Sequence, residues 1–182
     1  EPYRRQRQMC IRDRVEQLLF LARGDSGRNT LNKVKLDLNQ MVSEVWEESQ
    51  MIDEKHRYLF RGTDPAYMTG DIAMIKQSIR IFVQNAAKYS SDGADITLGV
   101  MLESGYVSYM IQDEGIGMES SDVVHIFERF YRSDEARNGE TGGSGLGLSI
   151  AKWIVDAHSG TIQVVSRPEI GTRFIVRFPM CE

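Results

Sequence analysis

Three stretches carry residue types that could do chemistry together. The first is Gly142-Gly143-Ser144-Gly145-Leu146-Gly147-Leu148, where a glycine-rich loop runs into an amphipathic helix; five of the nine residues from Gly139 to Gly147 are glycine. Glycine lets backbone amides approach a ligand with no side chain in the way. A helix N-terminus adds unpaired N–H groups and partial positive charge, which suits phosphate. No Gly-Lys-Ser/Thr follows, so this is not a Walker loop. A flexible surface loop before an ordinary helix would read the same way. The second stretch places Ile81, Asn85, Lys88 and Tyr89 three and four residues apart, on one helix face. An amide oxygen can complete the shell of magnesium, a lysine can reach phosphate, and a tyrosine ring can lie on a planar base. An amphipathic helix with a solvated lysine explains the same residues. The third is Asp113, in step with Val107, Tyr109 and Ile111 on an alternating strand and followed by Glu114-Gly115-Ile116-Gly117-Met118. Its carboxylate could accept the exocyclic amine of adenine, or simply cap a turn.

The elements that would position these residues follow from periodicity. Val34, Leu36 and Leu38 alternate as in a strand, and Met41, Val42 and Val45 take helical spacing. Residues 57–60 and 66–69 read as short strands around Gly62-Thr63-Asp64-Pro65. Asp71 is an N-cap candidate for a long helix that buries Ile72, Ile75, Ile79, Phe82, Val83 and Ala86. Two alternating strands follow, Ile96 to Leu102 and Val107 to Ile111, turning at Gly105. Phe127 and Phe130 follow a short helical stretch, and residues 132–144 form a polar, mobile loop. The next helix turns Leu148, Ala151, Ile154 and Val155 inward, and Gly160 stops it. Two strands close the chain, the second alternating Phe174, Val176 and Phe178. The pattern predicts an α+β protein, a two-layer α/β sandwich with helices packed on one face of a mixed, mostly antiparallel sheet.

Composition narrows the function classes. The chain has 182 residues, 41% hydrophobic and 26% charged, with net charge −4. A negative balance disfavours nucleic acid and anionic membranes as partners. Cys10 and Cys181 lie near opposite ends, with no zinc-ligand spacing and no disulfide framework. No apolar run reaches the roughly 18 residues that span a bilayer, and no secretory signal pattern is present. Residues 1–14 are crowded with Arg4, Arg5, Arg7, Arg12 and Arg14 and read as a non-native or disordered segment, with a basic arm as the alternative. The run Met9 to Arg14 resembles a translated transposon end of the kind used in sequencing libraries. Residues 15–27 read as the tail of a longer helix, with Val15, Leu18, Leu19 and Ala22 on one face, and a linker at Gly24–Gly27. The globular domain is expected over 28–182.

Taken in order, Asn85, Asp113-Glu114-Gly115-Ile116-Gly117, Phe127-Glu128-Arg129-Phe130, Gly143-Ser144-Gly145-Leu146-Gly147-Leu148 and Gly171-Thr172-Arg173-Phe174 closely resemble the ATP-binding catalytic domain of sensor histidine kinases. That family belongs to the gyrase, chaperone, kinase and mismatch-repair ATPase superfamily, and the resemblance runs from about Val34 to Phe178. It implies a Bergerat-type fold that binds ATP and magnesium. By resemblance, Asn85 is the metal ligand and, with Lys88, the catalytic pair. Tyr89 lies on adenine, and Asp113 takes its amine. Gly115 and Gly117 let the backbone approach the nucleotide. Phe127 and Phe130 anchor a lid whose body is residues 131–144. Gly143, Gly145 and Gly147 form its phosphate-facing hinge, with Ser144, Leu146, Leu148 and Thr172 also at the nucleotide. Arg129 and Arg132 are phosphate or partner contacts. His158 is a helix-end group that favours the dipole.

Two departures qualify the resemblance. Many relatives carry a second asparagine where this chain has Ile81, and hydrolytic members place a glutamate base at that turn. Isoleucine cannot accept a proton, which argues for transfer of the γ-phosphoryl rather than hydrolysis. The family's acceptor histidine sits in a His-Glu-like motif, and none of His56, His125 and His158 has that context. The resemblance therefore implies a fragment that donates phosphoryl to a histidine on its own dimerisation domain, absent here, for relay to a response-regulator aspartate. The full-length protein would be a homodimer in a bacterial cell membrane with this domain in the cytoplasm, and the fragment itself would not touch the membrane or nucleic acid. A non-catalytic ATP-binding regulatory module and an anti-sigma-factor-like serine kinase share the features and stay as alternatives.

Overall fold

Asp37 shows how the chain changes element where its sequence demands it. In the computed structural model, which describes residues 1–133 and 143–181, β1 (Val34–Asp37) passes directly into α2 (Leu38–Ile52). The Asp37 carboxylate accepts from Asn39 N–H at 3.0 Å and from Ala66 N–H at 2.8 Å. A cap that satisfies an orphan helix amide starts the helix at Leu38, so Leu38 belongs to α2 and not to the strand its alternation suggested. Asp71 repeats the device: its side chain accepts from Met74 N–H at 3.1 Å and opens α3 (Ile72–Tyr89).

The sheet has the order β2-β4-β5-β7-β6, from β2 (Arg57–Arg61), β4 (Asp95–Glu103), β5 (Tyr106–Asp113), β6 (Thr161–Arg167) and β7 (Gly171–Pro179). Only β2 with β4 is parallel; the other pairs are antiparallel. β1 and β3 (Tyr67–Gly70) form a separate two-stranded ribbon. Helices α2, α3 and α5 (Gly147–Ala157) cover one face, and a short α4 (Ser120–Val123) precedes the site loop. The architecture is the expected two-layer α+β sandwich. Its core interlocks Ile75, Ile79, Phe82 and Ala86 of α3 with Ile96, Leu98, Tyr109, Ile111, Phe174 and Phe178 of the sheet. The buried Tyr109 hydroxyl meets Ser78 Oγ at 2.8 Å, which satisfies both polar groups inside the core.

Further local details depart from the expected pattern, among them Ile72, expected on the buried side of α3 and 42% exposed. Helix α1 runs Pro2–Asp25, so residues 2–14 are helical and continuous with residues 15–25. Leu102, beside the β4–β5 turn, is 40% exposed although it continues the buried alternation of its strand. The left-handed position after α5 is taken by Ser159 (φ 56°) rather than Gly160. Gly160 instead supplies space, since a Cβ there would lie 2.8 Å from Phe178 and Val155 side-chain carbons. His158 is not a dipole-balancing cation. Its Nε2 accepts the Asp71 N–H at 3.0 Å, so Nδ1 carries the proton that goes to the Ile154 carbonyl at 2.6 Å. Burial pushes its pKa down, and the ring is neutral. The mobile loop foreseen over 132–144 falls mainly on residues 134–142, which lie outside the described residues.

Candidate functional site

The C-terminal half of α3 and the end of β5 meet at one cleft. An inner cavity is lined by Tyr89, Asp113, Gly117, Met118, Ile126 and Thr172 among others. An outer one adjoins it and is lined by Ile81, Lys88, Gly143, Ser144, Gly145 and Gly147 among others. Asn85, Tyr89, Arg132 and Leu148 line both.

Asp113 is the polar group of the inner end. It is 5% exposed, and its two backbone donors, Gly115 N–H at 2.8 Å and Thr172 N–H at 3.3 Å, both fall on Oδ1. Among the described residues nothing hydrogen-bonds Oδ2, so one carboxylate oxygen is held by backbone and the other is open to a ligand donor. Burial pushes the carboxyl pKa up, against those two amides. The apolar walls and the Tyr89 ring make this end suit a flat base bearing an amine.

The outer end is cationic. Burial and the neighbouring Arg132 hold the Lys88 pKa down, as two like charges in a half-buried cleft must. Lys88 Nζ lies 5.3 Å from the centre of the Tyr89 ring, and a side chain on Gly143 would collide with it. Helix α5 begins beside it at Gly147. Two cations and a helix N-terminus can hold a polyanion. Among the described residues lining the outer cavity there is no Asp, Glu or His.

Asn85 stands where the two ends join, and among the described residues nothing hydrogen-bonds its carboxamide. An amide oxygen there fits a magnesium ion whose other ligands are phosphate oxygens and water. No group of three His, Cys, Asp or Glu that could hold a metal exists among the described residues.

Most of the expected site residues converge, and four do not. Asn85, Lys88, Tyr89, Asp113, Gly117, Arg132, Gly143, Ser144, Gly145, Gly147, Leu148 and Thr172 line the cleft. Gly115 does not; it is bare because a side chain would strike the Tyr89 carbonyl, the same carbonyl that accepts Ile116 N–H at 3.1 Å. Leu146 is 1% exposed in a second small core with Leu21, Ile150 and Ile154. The Phe130 ring is 60% exposed, so Phe130 is not an apolar anchor. Its backbone is the useful part: Phe130 N–H donates to the Gly145 carbonyl at 2.9 Å. Phe127 does anchor, edge-on to Phe174 with centroids 6.4 Å apart. Arg129 turns away to a bidentate pair with Asp25 of α1, both bonds 2.8 Å.

Sequence reasoning missed Met118, Ile126 and Gln17. Ile126 and Met118 each adjoin a motif residue and could have been found as its apolar neighbours. Gln17 had no signal. It reaches the outer cavity only because α1 packs on α5, where Phe20 meets Trp153 edge-on at 5.2 Å and Ser144 Oγ donates to Gln17 Oε1 at 2.8 Å.

Sheet order, helix layer and a cleft graded from buried carboxylate to cationic helix end define a class of nucleotide-binding sandwich. Residues 70–182 match the family described as histidine kinase-, DNA gyrase B-, and HSP90-like ATPase, and the chain belongs to that family. It is 38% identical over 164 residues to sensor histidine kinase YkoH of Bacillus subtilis, covering 90% of this chain and 36% of that protein. It is 31% identical to sensor-like histidine kinase SenX3 of Mycobacterium tuberculosis, covering 92% of this chain and 41% of that protein. The chain thus spans well under half the length of these relatives. In fold it is similar to full-length ShkA, solved in complex with AMPPNP, with TM-score 0.80, 22% identity, and coverage of 93% of this chain and 35% of that one. The mycobacterial sensor histidine kinase MprB gives TM-score 0.70 at 24% identity, covering 81% of this chain and 97% of that one.

Proposed function

We propose that this chain is the ATP-binding catalytic domain of a sensor histidine kinase. It donates the γ-phosphoryl of ATP to a histidine on a dimerisation domain, for relay to a response-regulator aspartate. The observation that carries this reading is the polarity of one continuous cleft. The open Asp113 Oδ2 lies at one end, Lys88, Arg132 and the α5 N-terminus at the other, and Asn85 between them. Adenine goes to the Asp113 end and the triphosphate to the Lys88 end.

Phosphoryl transfer needs positioning and charge neutralisation more than covalent help. Asp113 and Tyr89 fix the base and so the reach of the phosphates. Lys88, Arg132 and the α5 amides neutralise phosphate oxygens. Among the described residues of the cleft Asn85 would hold magnesium through its amide oxygen, and the ion would supply positive charge to offset the charge developing on the phosphates. Among the described residues neither Ile81 nor the rest of the outer lining supplies a carboxylate or imidazole base for water, which supports transfer to a stronger nucleophile. In the transfer the bond from the γ-phosphorus to the bridging oxygen breaks, a phosphorus–nitrogen bond to imidazole forms, and ADP leaves.

The domain reading assigns residues 15–27 to the end of a dimerisation helix and its linker, and 28–182 to the ATP-binding domain. Val15, Leu18 and Leu19 of α1 are 49%, 43% and 47% exposed, which supports pairing with a dimerisation domain and homodimerisation of the whole protein. Among the described residues no helix is long and apolar enough to cross a membrane; a membrane-anchored parent with this domain in the cytoplasm belongs to the same proposal.

The test is calorimetric titration of the 182-residue chain with ATP and magnesium, beside Asp113→Asn and Lys88→Ala. Binding that weakens at least tenfold in each variant supports the reading. Equal affinity in all three proteins contradicts it.

A further inference from the structure

Gln17 reaches the outer end of the cleft from a third element, α1. Leu21, one turn further along that helix, is 2% exposed in the cluster with Leu146, Ile150 and Ile154, and a side chain on Gly24 would collide with the Trp153 indole. Residues four apart share a helix face, so the docking that buries Leu21 also turns Gln17 toward the loop before α5. Gln17 lines the outer cavity with Lys88, Ser144 and Gly147.

Ser144 fixes how the Gln17 carboxamide stands. Ser144 Oγ takes Leu146 N–H at 3.3 Å and donates to Gln17 Oε1 at 2.8 Å. The amide oxygen is thereby occupied, and among the described residues nothing hydrogen-bonds Nε2. Turned end for end, the carboxamide would give Ser144 Oγ a second donor and leave the Ser144 proton with no acceptor among the described residues, so Oε1 stays on Ser144. Nε2 carries two protons and only donates. Lys88 and Arg132, the charged side chains of the same lining, also only donate. Three side chains thus offer protons to this end of the cleft, and a triphosphate brings the oxygens that accept them.

We propose that Gln17 is a further nucleotide-binding residue, which donates from Nε2 to a phosphate oxygen while Ser144 holds its Oε1. A bound nucleotide then touches α1 as well as α3 and α5. The inference rests on the reading of the Lys88 end as the phosphate end.

The experiment compares ATP with magnesium and adenosine on the wild-type chain, Gln17→Ala, Gln17→Lys and Lys88→Ala, with binding read by NMR titration. Gln17→Ala is expected to bind ATP about tenfold more weakly than wild type, the size of one hydrogen bond to a charged group, and to bind adenosine as wild type does. Gln17→Lys restores a donor but offers Ser144 no acceptor, and should bind ATP at least as tightly as wild type. ATP affinity in Gln17→Ala that equals or exceeds the wild-type value overturns the proposal. So does a loss that ATP and adenosine share, which would make Gln17 a support of the fold. A Gln17→Lys variant as weak as Gln17→Ala overturns it too, because the contact with Ser144 would then be what matters. Wild-type ATP affinity in Lys88→Ala instead overturns the reading of the phosphate end itself.

Discussion

His158, at the end of α5, accepts a hydrogen bond on Nε2 from the backbone N–H of Asp71, the residue that caps α3, at 3.0 Å. The two helices that flank the outer cleft are thus tied through one neutral imidazole. Protonation of Nε2 would set two donors face to face. Burial holds the folded-state pKa of His158 below its ordinary value, so the unfolded chain binds the proton more readily. The stability contribution is present above the unfolded value of about 6.5 and is lost as pH falls through the folded pKa. His158→Gln keeps a donor and an acceptor but does not titrate. Thermal melts from pH 8 to pH 5 should show a smaller acid-side fall in Tm for His158→Gln than for wild type.

His56 has the opposite sign. Its Nδ1 faces Asp53 Oδ2 at 2.6 Å and its Nε2 faces the Ser90 carbonyl at 3.1 Å. Both partners accept, so the ring is doubly protonated. Burial opposes the charge, but the two acceptors outweigh it and the pKa is raised. Its contribution is complete below about 6.5 and is lost as pH rises through the folded pKa. In His56→Gln the fall in Tm between pH 6 and pH 9 should shrink, while the acid side keeps its slope.

Asp113 exchanges stability for binding. Its raised pKa means that the folded chain holds the carboxyl proton more tightly than the unfolded chain. That contribution is complete below the unfolded value of about 3.9 and is lost as pH rises through the folded pKa. Asp113→Asn keeps an oxygen for the Gly115 and Thr172 amides and removes the charge. The variant is expected to melt at or above the wild-type temperature at pH 7.5 and to lose at least tenfold in ATP affinity. A variant that melts lower would show that the carboxylate also stabilises the empty fold.

Gly145 is where the loop into α5 meets the segment at Phe130. Its φ is 70°, and a Cβ there would lie 2.8 Å from Phe130 Cα. Gly145→Ala must strain its own backbone or displace Phe130, at about 1–3 kcal/mol. Urea unfolding should move to lower denaturant by that amount. Gly143→Ala has no positive φ to lose but pushes Lys88 aside, so it should weaken ATP more than it weakens the fold.

Legibility differed by the kind of contact. Helix α3 was readable because its cap and its apolar stripe are local, and β5 because alternation set the direction of Asp113. Asn85, Asp113 and Thr172 were placed by motif order, which survives however the intervening chain packs. What could not be read depends on long-range packing. Leu146 points into the Leu21 cluster, Arg129 turns to Asp25, and Gln17 enters the cleft, all because α1 lies along α5. No local period encodes that docking. The glycine motif misled once for a related reason: Gly115 makes room for a main-chain carbonyl of α3 and not for a ligand.

Asn85 and the cleft around it are proposed to deliver the γ-phosphoryl of ATP to a histidine. The direct test mixes the 182-residue chain with γ-labelled ATP, magnesium and the separately purified dimerisation domain of a relative such as YkoH, and follows label on that domain. The account expects acid-labile, base-stable label on the acceptor histidine from the wild-type chain. It expects at least a hundredfold less from Asn85→Ala, and none from an acceptor whose histidine is replaced. Equal labelling by wild type and Asn85→Ala, or release of label only as inorganic phosphate, would contradict it.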